Sequence, residues 1–429
     1  MDGRIRGANA AEIAESVREL VETGALATGA ALPPIRTLAA ELGVNRNTVA
    51  AAYAQLGSAG VVESRRRGGT VVLGVPAVDG EGFAVSSALV NLADGNPSRE
   101  FLPDVTAAYQ GYEPPLYGHE PVSGALADWA RQAMSPDVET EHRLVLTHGS
   151  LDAVERCLNS HLARGDAVAV EDPCFLSSIG TARANGFRPV PVPIDAEGMD
   201  PEGLRAALVA GARAVVCTPR AHNPTGAALS AVRARQLREV LADFPGVLVI
   251  EDDHFSAVSA QPYHRITPPS APRWALLRSV SKFLGPDLRL SFVLADPATA
   301  ARLEARLNPA WVSHLLQHVV AGLLSDPGTA QLLQRARDAY ATRSRSLIEA
   351  LRQNGITVAD RCDGLNVWIP LPGRTRRIVE ALAERGWAVR PGADFAVTRS
   401  TASAIRVTTA TLTPQQAQVF AADLARVMS

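Results

Sequence analysis

Apolar positions recur at intervals of three and four near the start of the chain. Ile13, Val17, Leu20 and Val21 fall on one face of a predicted helix, and Gly24 and Gly29 break the chain after it. A second, short helix is predicted through Leu38, Ala39 and Leu42, stopped by Gly43. Asn45 reads as the N-cap of a third, whose Val49, Tyr53 and Leu56 share a face and which Gly60 ends. The pattern then turns extended. Val61-Val62-Glu63-Ser64 and Thr70-Val71-Val72 flank Arg65-Arg66-Arg67-Gly68-Gly69, which predicts a hairpin with a basic tip. Three helices followed by a hairpin describe a winged helix-turn-helix over residues 1–75.

Periodicity fades from about Leu73 to Ala88. Gly74, Pro76, Gly80, Gly82, Ser86 and Ser87 suggest a flexible connector, assigned to 76–89. From 90 to 429 short β-rich runs alternate with helical stretches: Leu144–Leu146, Ala167–Val170, Ala214–Val216, Val247–Ile250, Leu276–Leu277 and Phe292–Leu294. That alternation predicts an α/β body with a mostly parallel, doubly wound sheet. Sites in such sheets gather at the C-terminal ends of the strands.

Length and composition narrow the function classes. A chain of 429 residues holds two or three domains. There is no apolar run of about 18 residues, and the first 30 residues lack a basic start with an apolar core, so neither a membrane span nor a secretory signal is expected. Cys157, Cys174, Cys217 and Cys362 lie far apart, which argues against a metal site or disulfide framework and fits a reducing cytoplasm. The net charge of −2 means that any nucleic-acid contact must come from a local patch. Residues 36–67 hold such a patch, with five Arg against two Glu. Arg36 opens the second helix. Asn45, Arg46, Asn47 and Thr48 lead the third, where side chains can reach bases or phosphates of double-stranded DNA, and Arg65, Arg66 and Arg67 form the wing tip. A solvated basic loop on a small three-helix module is the bland alternative.

One count is sharper. Of 42 basic residues, Lys282 is the single lysine. Codon bias explains an arginine excess but not one surviving lysine. A guanidinium cannot replace an amine nucleophile, so Lys282 is a candidate for Schiff-base chemistry. It lies in Ser279-Val-Ser281-Lys282, with Arg289 downstream, and hydroxyls and an Arg beside an amine suit a phosphorylated aldehyde. Asp252 ends the apolar run Val247–Ile250 within Glu251-Asp252-Asp253-His254, where a carboxylate can pair with a protonated pyridine or simply make an acidic turn. Gly149-Ser150-Leu151 joins a strand to a helix, whose N–H groups can cradle phosphate. Asn223-Pro224-Thr225-Gly226 is a turn whose Asn could donate to a phenolic oxygen, and Phe175 is either a stacking ring or core.

Two resemblances follow from these runs. Leu32–Val49, with Tyr53, Leu56 and Gly60, resembles the DNA-binding domain of the GntR family, although Pro34 stands where a Ser often opens the second helix. The order glycine turn, aromatic, Asn-Pro-x-Gly, Asp, Ser-x-Ser-Lys, Arg resembles fold-type I, class I/II aminotransferases, which implies a large domain and a smaller α+β domain. This resemblance implies pyridoxal 5'-phosphate held through Lys282. Asp252 would face the ring nitrogen, Asn223 the 3-oxygen and Phe175 the ring face. Gly149, Ser150, Leu151, Ser279, Ser281 and Arg289 would surround the phosphate. It further implies that Tyr117 reaches the phosphate of a neighbouring subunit in a homodimer, and that Arg406 grips an α-carboxylate, a surface charge being the other reading of that Arg. His254 takes the place of a usual Tyr. Head and body together resemble the MocR subfamily of GntR-type transcription regulators, which implies a regulator whose effector is an amine, an amino acid or pyridoxal phosphate itself. An active aminotransferase is the alternative.

Overall fold

A computed structural model of the protein describes residues 4–65, 69–74, 81–82, 85–306, 311–398, 401 and 403–429. In the N-terminal unit, helix α1 (Ala10–Glu22) starts at Asn9, whose side chain accepts from the Glu12 N–H. Helix α2 (Ile35–Leu42) starts at Pro34 with no side-chain cap and stops at Gly43, which takes the left-handed conformation at φ 67°. Helix α3 (Arg46–Ser58) is capped by Asn45. Strands β1 (Val62–Arg65) and β2 (Gly69–Val72) pair antiparallel, Val62 opposite Val72 and Arg65 opposite Gly69. Ile13, Val17, Leu38, Val49, Leu56, Val62 and Val72 bury one another in a single core. The Tyr53 hydroxyl donates to the Pro33 carbonyl at 2.8 Å and ties α3 to the entry of α2. Helical spacing, caps and a two-residue strand period thus agree with the winged helix-turn-helix expectation. Arg66, Arg67 and the side chain of Arg65 lie outside the described residues.

The second unit carries strands β3 (Val90–Asn91), β4 (Arg143–Thr147), β5 (Ala167–Asp172), β6 (Arg188–Asp195), β7 (Gly198–Met199), β8 (Ala212–Cys217), β9 (Leu248–Asp252), β10 (Trp274–Ser279), β11 (Ser291–Ala295), β12 (Asn366–Pro370), β13 (Trp387–Ala388), β14 (Arg390–Pro391) and β15 (Ala404–Thr408). Eight form one sheet in the order β4-β11-β10-β9-β8-β5-β6-β7. Strands β8, β9 and β10 run parallel, whereas β11 runs antiparallel to both β10 and β4. No helix lies between Ser279 and Ser291 to carry the chain back, so β11 returns as an antiparallel neighbour. The fully buried faces of β9, β10 and β11 explain their unbroken apolar runs.

A smaller α+β part lies beside this sheet. It contains the antiparallel set β12-β15-β14, the parallel pair β13-β3, and the helices Pro327–Gln353 and Pro414–Met428. Leu92, Leu347, Leu351, Ile369, Ile405 and Phe420 form its core. Leu92 brings the stretch after β3 into this core, well away in sequence from its other members. Within the connector assigned to 76–89, residues 76–80, 83 and 84 lie outside the described residues, while Gly82 N–H donates to the Asp94 carbonyl at 3.0 Å and Glu81 is held by Asn223 and Arg406.

Candidate functional site

The ends of β4, β9 and β10 converge with the turn after β8 and with β15. Lys282 follows β10 in the segment that turns back toward β11. Its Nζ donates to the Gly95 carbonyl at 2.8 Å and lies 5.8 Å from the centre of the Phe255 ring. Burial is the main force lowering the Lys282 pKa below its ordinary value; Glu81 and Asp94 oppose it, and Arg406 and Arg289 add to it.

Asp252, at the last position of β9, is buried. Its Oδ2 lies 3.4 Å from His254 Nδ1, while its Oδ1 has no hydrogen-bond partner in the chain. A buried carboxylate oxygen without a partner is costly unless something donates to it. His254 is flanked by rings, with Phe255 at 4.8 Å and Phe175 at 6.4 Å between centroids. The aromatic that faces the amine is Phe255, three residues after Asp252.

At the other edge, Gly149 takes φ 96° and opens the helix Ser150–His161. That positive φ favours glycine, and a Cβ there would stand 2.5 Å from an Arg289 guanidinium nitrogen, so the Arg289 side chain would have to shift. Arg289 donates to Ser281 Oγ at 3.0 Å, and Ser279 Oγ donates to Ser281 Oγ at 3.1 Å. Ser150 Oγ is buried with no partner. A helix N-terminus, an Arg, clustered hydroxyls and an orphan hydroxyl match the donor set for a phosphate. Together with the amine and the orphan Asp252 oxygen, these residues fit pyridoxal phosphate.

Arg406, on β15, is completely buried, which removes the surface-charge reading. Its guanidinium donates to both Glu81 oxygens, at 2.6 and 3.0 Å, to Asn223 Oδ1 at 3.1 Å and to the Ala93 carbonyl at 2.6 Å. It also lies over the Phe395 ring at 4.8 Å. Asn223 Nδ2 donates to Glu81 Oε1 at 2.6 Å. Burial works to raise the Glu81 pKa, but Arg406 and Lys282, with hydrogen bonds from Arg406 and Asn223, outweigh it and hold the carboxyl below its ordinary value.

The structure thus brings together Lys282, Asn223 and Arg406 around Glu81. Asp252 and His254 form one adjacent pair, and Arg289, Ser279 and Ser281 another group beside Gly149. Tyr117 stands apart, 92% exposed, with its ring 5.5 Å from Trp311. Sequence reasoning missed Glu81, Gly95 and Phe255. Asp94-Gly95-Asn96-Pro97 carried a turn signal that could have drawn attention to Gly95, whereas nothing in the glycine-rich connector singled out Glu81.

In the head, Arg36, Asn45, Arg46 and Asn47 are exposed and Thr48 is half-buried, at the starts of α2 and α3. The Asn45 Oδ1 accepts from the Asn47 N–H at 2.9 Å, so it holds the helix start. Among the described residues no helix is long and apolar enough to cross a membrane, and no acidic, His or Cys group is placed to hold a metal ion.

Comparison with known proteins separates the same two parts. Residues 9–72 match the model of bacterial regulatory proteins of the gntR family, and residues 90–424 match aminotransferase class I and II. The chain is 45% identical to the vitamin B6 salvage pathway transcriptional repressor PtsJ of Salmonella typhimurium, over 99% of this chain and 100% of that one. It is 29% identical to the pyridoxine biosynthesis transcriptional regulator PdxR of Corynebacterium glutamicum, over 79% and 77% of the two chains. It is 25% identical to the probable rhizopine catabolism regulatory protein MocR of Rhizobium meliloti, over 80% and 77%. Among solved structures, the α-aminoadipate aminotransferase LysN of Thermus thermophilus, complexed with N-(5'-phosphopyridoxyl)-L-leucine, superposes with a TM-score of 0.70 at 23% identity, over 80% of this chain and 92% of that one.

Proposed function

This chain belongs to the MocR subfamily of GntR-type transcription regulators, a DNA-binding head on an aminotransferase-like, pyridoxal phosphate-dependent body, and from that premise we propose that it represses transcription of vitamin B6 genes by sensing pyridoxal phosphate at Lys282. The observation that carries the sensing is the orphan oxygen of Asp252 beside a cluster that holds the buried Lys282 amine and a set of phosphate donors.

Bound pyridoxal phosphate supplies an aldehyde that condenses with a primary amine and a ring that becomes an electron sink when its nitrogen is protonated. The chain's own residues do the rest. Lys282 provides the amine. Asp252 Oδ1 would accept from the ring N–H and hold that proton, and His254 Nδ1 lies 3.4 Å from the other Asp252 oxygen. The backbone N–H groups of Gly149, Ser150 and Leu151, with Ser279, Ser281 and Arg289, hold the phosphate. Phe175 covers one ring face, and Asn223 serves the 3-oxygen. Tyr117, on its exposed loop, reaches the phosphate of a second copy in a homodimer. In the head, Arg36, Arg46, Asn47 and Thr48 contact the operator with the wing Arg65, Arg66 and Arg67, while Asn45 sets the start of α3. Occupancy at Lys282 shifts the smaller α+β part, and the spacing of two heads changes with it.

The test combines spectrum and operator binding. Purified protein with pyridoxal phosphate shows a visible band that Lys282→Ala loses, and its affinity for the DNA upstream of its own gene changes on adding the cofactor. A colourless wild type, or operator binding indifferent to the cofactor, overturns the proposal. Multiple turnovers of an amino acid with a keto acid, without operator binding, would establish the aminotransferase instead.

A further inference from the structure

Glu81 occupies the fork of Arg406 in the geometry a ligand carboxylate would use. Both oxygens accept from the guanidinium, and Asn223 donates to one of them. Gly95 leaves room for it, since a Cβ there would stand 2.2 Å from Glu81 Oε2. Glu81 is 13% exposed and Arg406 wholly buried, so this pair is shielded from water. A buried guanidinium must be paired, and here the chain pairs it by itself. Glu81 lies between the two family matches, which end at residue 72 and begin again at residue 90. Arg406 Nε keeps no partner, so the fork retains a further donor.

We propose that Glu81 is a tethered carboxylate that decides which ligands the site accepts, by filling the α-carboxylate seat of Arg406 and Asn223. This rests on reading the pocket as the ligand site. A free amino acid must displace a group attached to the same chain, which competes at an effective concentration in the millimolar range. Pyridoxal phosphate meets that seat only at Asn223, whose Nδ2 carries a second hydrogen for the 3-oxygen beside the one given to Glu81, and it makes no demand on Arg406. The site therefore discriminates in favour of the cofactor alone and against amino acids. A carboxylate that does win the seat frees the Glu81 side chain.

The experiment uses full-length protein, without cofactor, and succinate as a carboxylate that forms no imine. Calorimetry compares wild type, Glu81→Gln, Glu81→Ala and Arg406→Ala. Glu81→Gln and Glu81→Ala bind succinate roughly 10–100-fold more tightly than wild type, the range expected on removing a tethered competitor. Succinate also raises their melting temperatures more than that of wild type, which reads the same competition if either variant is less stable. Limited proteolysis adds a second readout, since saturating succinate exposes Glu81 of wild type to a glutamate-specific protease. Equal succinate affinity in wild type and both Glu81 variants, with binding lost in Arg406→Ala, overturns the competitor and keeps the site. Binding that survives in Arg406→Ala at full strength overturns the site reading itself.

Discussion

The two ends of the pocket are built on opposite terms. At the Asp252 end, polar atoms lack partners within the chain: Asp252 Oδ1 and Ser150 Oγ are buried and unbonded. At the Arg406 end, a fully buried cation has both its terminal nitrogens satisfied by Glu81, Asn223 and Ala93, and Nε alone is left without a partner. The first end is destabilising until something donates or accepts there. The second is stable as it stands and resists a newcomer. The proposed cofactor binding and the proposed ligand exclusion thus rest on one physical rule, that buried polar groups must be paired, applied in two directions. Substitutions should therefore divide. At the unpaired end they reduce cofactor affinity and leave the fold intact, and at the paired end they damage the fold.

The largest effect is expected at the junction of the two ends. Lys282→Ala abolishes the visible band of the cofactor complex completely, because no other lysine exists in the chain to substitute. Absorption between the near ultraviolet and the visible checks this, and a residual band of native intensity would falsify the assignment. Arg406→Ala comes next, and its effect is on stability. It leaves the Glu81 carboxylate buried without its cation, at a cost of about 3–5 kcal/mol, measured by denaturant unfolding. The sign with pH follows from Glu81, whose pKa is depressed by Arg406 and Lys282 against the contrary effect of burial. The unfolded carboxyl binds protons more readily than the folded one, so the pair's contribution is present above the ordinary carboxylate pKa and is lost as pH falls through the lower folded value. The stability gap between wild type and Glu81→Gln should accordingly close on acidification, and a gap that widens there breaks the comparison.

What the sequence made legible follows the same division. The head was legible because its core is periodic. Ile13, Val17 and Leu20 on α1 and Val49, Tyr53 and Leu56 on α3 recur at helical spacing and are all buried. Pro34 in place of a capping Ser could be noticed in the chain, and α2 does start with no side-chain cap. The places of Lys282, Asp252 and Asn223 at or after strand ends were legible because short motifs follow each apolar run. The antiparallel sense of β11 was not, since periodicity carries no direction. Arg406 left a faint signal, an Arg inside the apolar run Ala404-Ile405-Arg406-Val407, whose residues are all buried on β15. Glu81 left none, because its partner stands 325 residues away and no local pattern encodes so distant a pair.

Smaller effects sharpen the contrast at the unpaired end. Asp252→Ala removes the acceptor proposed for the ring N–H, and cofactor affinity should fall by about 2–3 kcal/mol, the range for a hydrogen bond to a charged group with its desolvation. The melting temperature of the cofactor-free protein should hold or rise, because a buried, partly unpaired carboxylate has been removed. Ser150→Ala is the finest test. Its hydroxyl is buried and has no partner in the chain, so in the cofactor-free protein it costs desolvation and returns nothing. A methyl of similar size should leave that state as stable or slightly more stable. If the hydroxyl serves the phosphate, the same change weakens pyridoxal phosphate by about 1 kcal/mol, near fivefold in dissociation constant, and weakens pyridoxal without its phosphate not at all. Fluorescence titration with the two aldehydes separates these outcomes. Equal weakening of both would place the hydroxyl away from the phosphate, and a loss of cofactor-free stability would mean that Ser150 belongs with the paired end of the pocket.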